Sequence, residues 1–174
     1  MIRIGVVGCG HLGGIHIKLL SNSKNFDLIG FLDNDDKRAT EIQQQYNIRR
    51  FDDINELSNQ INAVIIATPT KSHYSLAKFF LQQKKHVFIE KPITSTIQEA
   101  KELTLLADKF GLIGQVGHVE RFNSAFSNVK KILNPMFIEA HRLSHYPERG
   151  TDVSVVLDLM IHDIDIILSV IDSP

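Results

Sequence analysis

The sequence predicts an α/β fold: a doubly wound parallel sheet over residues 1–117, followed over residues 118–174 by the beginning of a second, incomplete α+β domain. Three observations predict it. Short apolar runs alternate with stretches of helical period, a glycine cluster follows the first apolar run directly, and the order of elements changes after Gly117 with too few residues left for a second domain of ordinary size.

The elements follow in order. Ile2, Ile4, Val6 and Val7 form an apolar run that ends at Gly8, the pattern of a strand buried on both faces. A helical stretch from His11 to Leu20 leads to a second strand, Phe26 to Leu32. A polar helix spans Asp36 to Tyr46, a short extended piece lies near Arg49 to Phe51, and a strand covers Ala63 to Ala67. Helix Ser72 to Lys84, strand His86 to Ile89, helix Ser95 to Phe110 and strand Leu112 to Val116 complete the series. Six strands in this sequence suit a complete doubly wound domain with strand order 3-2-1-4-5-6. Beyond His118 the expectation is a helix from Arg121 to Leu133, a strand from Met136 to Ser144, a polar loop, and a helix from Asp152 to Val170.

The charge balance, 19 Lys+Arg against 20 Asp+Glu, has no long basic run, which argues against nucleic acid or an anionic membrane surface as the main partner. No targeting segment is visible, and the opening apolar residues are too few to span a membrane. The single cysteine, Cys9, forms no internal disulfide, so a cytoplasmic location is expected.

Gly8, Gly10 and Gly13 have the G-x-G-x-x-G spacing between a strand and a helix. In that context Gly8 permits the tight turn, Gly10 admits a pyrophosphate to the backbone, and Gly13 lets the helix approach the sheet. The alternative is a tight turn and nothing more. Asp33, twenty residues after Gly13, is placed to accept hydrogen bonds from an adenosine ribose diol and to repel a 2′-phosphate, which favours NAD over NADP. Lys37 and Arg38 are the residues able to reverse that preference, and a turn or cap role for Asp33 is the competing reading. Cys9 reads as a small filler within the loop.

Two further segments fall at the C-terminal ends of strands, where open α/β sheets bind ligands: Ala67 to Thr70 and Glu90 to Pro92. Proline straight after a strand ends the ladder and leaves Lys91 on that edge; a solvated surface lysine is the alternative. Position alone leaves His73 and Tyr74 ambiguous. In the second region Asp158 and His162 are four apart, hence neighbours on one helical face, with Asp165 next along it. A carboxylate beside an imidazole fixes its tautomer and tunes its basicity, as proton transfer requires. A satisfied, partly buried pair is the plainer reading, and the spacing is a poor match to a zinc site, so no metal is expected.

Together, the segments Gly8 to Gly13, Phe31 to Asp35, Ala67 to Thr70, Glu90 to Pro92, and Asp158 with His162 resemble the Gfo/Idh/MocA family of NAD(P)-dependent sugar dehydrogenases, along the whole chain. Within the family, Gly117 to Asn123, Glu139 to Ser144 and Asp152 to Asp165 look most like the UDP-N-acetylglucosamine 3-dehydrogenase (MviM-like) group. The resemblance implies a Rossmann domain holding NAD through Gly8, Gly10, His11, Leu12, Gly13, Asp33, Thr68, Pro69, His73, Glu90 and Lys91. It implies Lys91, His162 and Asp158 as catalytic residues and a cis bond before Pro92. The substrate is then a small nucleotide sugar, oxidised at a secondary hydroxyl and met by Asp158, His162, Asn123 and Arg121. For Arg121, capping a nearby carboxylate is an equal alternative to holding a substrate phosphate. Family members run to roughly twice this length, so the expectation is a C-terminally truncated chain, or one completed by a second polypeptide or by oligomer formation. A catalytically inactive NAD-binding module is the alternative function, and a degenerate fragment without a stable fold is the third.

Overall fold

The chain opens with strand β1 (Ile2–Val7), helix α1 (His11–Ser21), strand β2 (Phe26–Leu32) and helix α2 (Asp36–Tyr46) in a computed structural model that describes residues 1–143 and 154–171. There follow β3 (Arg50–Phe51), α3 (Ile54–Gln60), β4 (Ala63–Ile66), α4 (Thr70–Gln82), β5 (His86–Ile89), α5 (Ile97–Phe110) and β6 (Gly114–Val116). All neighbouring strands are parallel, in the order β3-β2-β1-β4-β5-β6, as the alternation of periods predicts. The order reverses between β1 and β4, whose pairing runs from Ile4 with Ala63 to Val7 with Ile66. A crevice therefore opens beyond the C-terminal ends of these two strands, where the connections depart in opposite directions.

The apolar side chains divide between the two faces of the sheet. Ile4, Val6 and Ile65 pack on Ile17 and Leu20 of α1 and on Ala39 and Ile42 of α2. On the other face, Val64, Ile66, Val87 and Ile89 meet Leu57 of α3, Ala77 and Phe80 of α4, and Leu103 of α5. Phe31, Phe51 and Phe80 are essentially inaccessible, and each full burial stabilises the fold by about 2–3 kcal/mol. Helix ends follow local chemistry: Asp35 caps α2 by accepting from the Arg38 N–H, and Thr96 and Glu99 form a reciprocal capping box at α5.

Helix α3 was not anticipated between the strands ending at Phe51 and beginning at Ala63. Its signal is short: Asp53 caps it through the Asn55 N–H, and Ile54, Leu57 and Ile61 recur at helical spacing. Seven residues give too little periodicity to outweigh a loop reading, and burial of Leu57 against the sheet decides it.

Contacts divide the chain into two units, Met1–Val116 and Gly117–Pro174. In the second unit the expected helix from Arg121 to Leu133 is replaced by three pieces: a 3₁₀ turn Val119–Phe122, helix α6 (Ser124–Val129) and a 3₁₀ turn Lys130–Ile132. Asn123 causes the first break, because its side chain accepts the Ala125 N–H and starts a new helix. Residues 137–143 of the expected strand Met136 to Ser144 are not strand. An extended segment needs a neighbour to satisfy its backbone, and none pairs with it among the described residues; Met136, Phe137 and Leu143 are accordingly exposed. Ser144 lies outside the described residues, as do Asp152 and Val153 of the last expected helix. That helix is observed as a π-helical stretch Val156–Met160 followed by α7 (Ile161–Leu168).

Candidate functional site

The first unit builds its crevice from the β1–α1 corner. Gly8 adopts φ +88°, a conformation that side chains with a Cβ rarely take, and its N–H donates to the Leu32 carbonyl at 2.9 Å. The chain then enters α1 at Gly10, which offers no side-chain cap, so the first-turn N–H groups of the helix have no side-chain acceptor. Gly13 lies so near Gly8 that a Cβ there would come within 1.9 Å of the Gly8 carbonyl oxygen. At Gly10 the same construction meets nothing within 4 Å. The corner is thus closed on the sheet side and open where an anion would approach, which fits a dinucleotide diphosphate.

Asp33, just past β2, reaches into this corner. Its carboxylate accepts the Cys9 N–H at 2.5 Å and the Asp35 N–H at 2.8 Å, one on each oxygen. Each carboxylate oxygen retains a second lone-pair site for a ribose hydroxyl. Arg38 lies alongside, donating from Nε to the Cys9 carbonyl at 3.0 Å. The resulting crevice, about 740 Å³, is bordered by Gly8, Gly10, Asp33, Arg38, Thr68 and Pro69. His11 and Leu12 stand exposed on the first turn of α1. Cys9 is buried beneath, and that burial, with the Asp33 carboxylate beside it, pushes its thiol up to about 12, the state of an inert filler.

Along the same edge, Glu90, Lys91 and Pro92 follow β5, with the Lys91–Pro92 bond cis. Lys91 is half-buried. The Glu90 carboxylate is buried and meets His16 Nε2 at 2.6 Å. His73 is buried as well: its ring lies within hydrogen-bonding reach of the Pro92 carbonyl at Nδ1 and the Thr68 carbonyl at Nε2, both at 2.8 Å. His16 had no role in the sequence reading. No local pattern marks it, because its partner is 74 residues away.

The second unit carries the remaining candidates. Arg121 donates from Nε and Nη2 to the two oxygens of Asp165 at 2.6 and 2.7 Å, so of the two roles open to it the structure displays the carboxylate cap. Burial by itself would raise the Asp165 carboxyl, but the Arg121 fork and the imidazoles of His118 and His162 outweigh it and hold the group below the usual carboxylate range. Asn123 is occupied in capping α6 and donates to Glu120. Asp158 and His162 are half-buried. Asp158 lies in the π-helical stretch, where i→i+5 bonding spaces one face differently from the α-helix that the four-residue separation assumes. Among the described residues no helix is long and apolar enough to cross a membrane.

Residues 2–118 match the family model described as the Gfo/Idh/MocA oxidoreductase family, NAD-binding Rossmann fold. The chain belongs to this family. It is 34% identical over 169 residues to the UDP-N-acetylglucosamine 3-dehydrogenase of Acidithiobacillus ferrooxidans, covering 96% of this chain and 53% of that relative. The solved structure of that organism's UDP-N-acetylglucosamine 3-dehydrogenase GnnA superposes with a TM-score of 0.90 over 96% of this chain and 55% of its own. A dehydrogenase (MviM) from Clostridium difficile, 26% identical, superposes with a TM-score of 0.83 over 97% of this chain and 57% of its own. This member of the family spans about half the length of the curated relatives it matches.

Proposed function

We propose that this chain is an NAD-dependent oxidoreductase acting on a nucleotide sugar, with the C3 hydroxyl of UDP-N-acetylglucosamine as the group oxidised. The observation that carries the cofactor half is the β1–α1 corner: open space at Gly10, a close approach at Gly13, and Asp33 beside an uncapped helix start. Likeness to the Acidithiobacillus enzyme carries the substrate half. NAD is preferred over NADP because the Asp33 carboxylate stands where a 2′-phosphate would bring like charge.

When bound, the nicotinamide supplies the hydride acceptor. The chain's own residues supply proton chemistry and orientation. Lys91 donates a hydrogen bond to the sugar oxygen and stabilises the charge that grows on it as the C–H bond breaks. His162 takes the hydroxyl proton, a task matched to an imidazole, and Asp158 holds that imidazole in the accepting orientation. The main-chain groups of Gly8 to Gly13, with His11, Leu12, Thr68 and Pro69 around them, hold and orient the dinucleotide. We assign the second unit to substrate binding and oligomer contact, in the cytoplasm.

The test is formation of reduced nicotinamide from NAD and UDP-N-acetylglucosamine, with Lys91→Ala and His162→Ala as controls. Each substitution is expected to lower the rate by about 10²–10⁴-fold with NAD binding retained. A folded, NAD-binding chain that produces no reduced cofactor on this or related sugars overturns the catalytic reading in favour of a binding module. A chain that neither unfolds cooperatively nor binds NAD overturns both.

A further inference from the structure

The three residues after β5 are anchored from β4, from α1 and from α4. Glu90 donates its N–H to the Ile66 carbonyl of β4 at 2.9 Å. Its carboxylate is 8% exposed, with Oε1 on His16 Nε2 at 2.6 Å and Oε2 accepting the Lys91 N–H at 3.3 Å. One residue on, the Pro92 carbonyl meets Nδ1 of His73, whose Nε2 reaches the Thr68 carbonyl in the loop before α4. The His16 ring is held edge-on against Phe88 of β5, with centroids 5.2 Å apart, so its direction toward Glu90 is set by packing. The two helices that supply these imidazoles, α1 and α4, lie on opposite faces of the sheet.

We propose that His16 and His73 are positioning residues for Lys91, gripping residues 90–92 from both sides of the sheet so that the lysine side chain leaves the loop in one direction. His16 acts through the Glu90 carboxylate and the Lys91 N–H that this carboxylate accepts. His73 acts through the Pro92 carbonyl, 2.8 Å from its Nδ1, with the Thr68 carbonyl at its other ring nitrogen. A buried carboxylate without its donor turns toward water, and the Lys91 N–H then loses its acceptor. The importance of the grip rests on the proposed role of Lys91, but its existence does not, and the test below needs neither cofactor nor turnover.

The experiment uses the 174-residue chain after reductive methylation of its lysines with ¹³C-formaldehyde, which keeps their charge. The Lys91 methyl resonance is assigned by its loss in Lys91→Arg. In His16→Leu and His73→Leu, which keep bulk but not hydrogen bonding, the Lys91 resonance is expected to move toward that of an exposed lysine. The other lysine resonances stay in place. His16→Gln, which restores an N–H donor toward Glu90, returns the Lys91 signal toward its original position. Leu103→Ala, a core change in α5, lowers the melting temperature without moving it, which separates positioning from general loss of stability. Where a leucine variant does not fold, comparison of the parent with His16→Phe and His73→Phe, which also lack hydrogen bonding, decides. An unmoved Lys91 resonance in folded leucine or phenylalanine variants at both histidines overturns the proposal, as does a Leu103→Ala shift as large as theirs. Failure of sugar oxidation alone leaves this result unaffected.

Discussion

Gly10 and Gly13 belong to one motif, yet the structure assigns their missing side chains to different tasks, and alanine at each separates the two. At Gly13 a Cβ would sit 1.9 Å from the Gly8 carbonyl oxygen and 2.8 Å from its carbon, both backbone atoms that cannot rotate aside. Relief requires α1 to move off the sheet, and such overpacking typically costs about 1–3 kcal/mol. For a domain of this size that corresponds to a fall of roughly 4–12 °C in melting temperature. At Gly10 a Cβ meets no atom within 4 Å, so Gly10→Ala should leave stability within about 0.5 kcal/mol of the parent. On the proposed cofactor reading, that same empty space is where a diphosphate approaches the first-turn N–H groups of α1. Charge-assisted hydrogen bonds of this kind are worth about 1.5–3 kcal/mol each, so losing one weakens NAD binding by roughly 10- to 150-fold. Thermal unfolding monitored by circular dichroism and calorimetric titration with NAD measure both effects on the same samples. Undiminished NAD affinity in Gly10→Ala, or an unshifted melting temperature in Gly13→Ala, would refute the division of labour.

Three further expectations concern single side chains. Asp33→Ala leaves the Cys9 and Asp35 N–H groups without their acceptor, at a cost of about 1–3 kcal/mol, and removes the charge that disfavours a 2′-phosphate. Titration with both cofactors should show NADP gaining on NAD beside Arg38, more in Asp33→Ala than in Asp33→Asn; an unchanged ratio in both sinks the idea. Asp165 has a folded-state pKa below its unfolded value, so its contribution is fully present above the ordinary carboxylate pKa of about 3.9 and is lost as pH falls through the folded value. Hydrogen exchange of α7 should therefore accelerate below about pH 4 in the parent. Arg121→Ala should bring that acceleration to higher pH, and identical acid profiles would contradict the pairing. Cys9, buried and with its thiol raised to about 12, should react with an aromatic disulfide at mildly alkaline pH only as fast as the fold opens. Rapid labelling of the folded chain would show that the thiol is accessible.

The sheet was legible because its signals are local. Ile2 to Val7 running into Gly8, and the apolar runs at Phe26 to Leu32 and His86 to Ile89, each declare a strand within a few residues. The glycine spacing declares the strand-to-helix corner in the same way, and chain chirality then limits the order in which parallel strands assemble. Helix α3 and the broken helix around Asn123 were harder to read, since a capping side chain and three apolar positions compete evenly with a loop.

From its residues alone, this protein's family, its parallel sheet and its glycine-lined strand-to-helix corner were determined, because each depends on neighbours close in sequence. Tertiary structure decided which polar groups are already engaged: His16 on Glu90, His73 between two carbonyls, Arg121 on Asp165, and Asp33 on the glycine loop. Such pairings join residues as far as 74 positions apart, and burial makes them obligatory, since a polar group removed from water must find its partner in whatever the fold brings near.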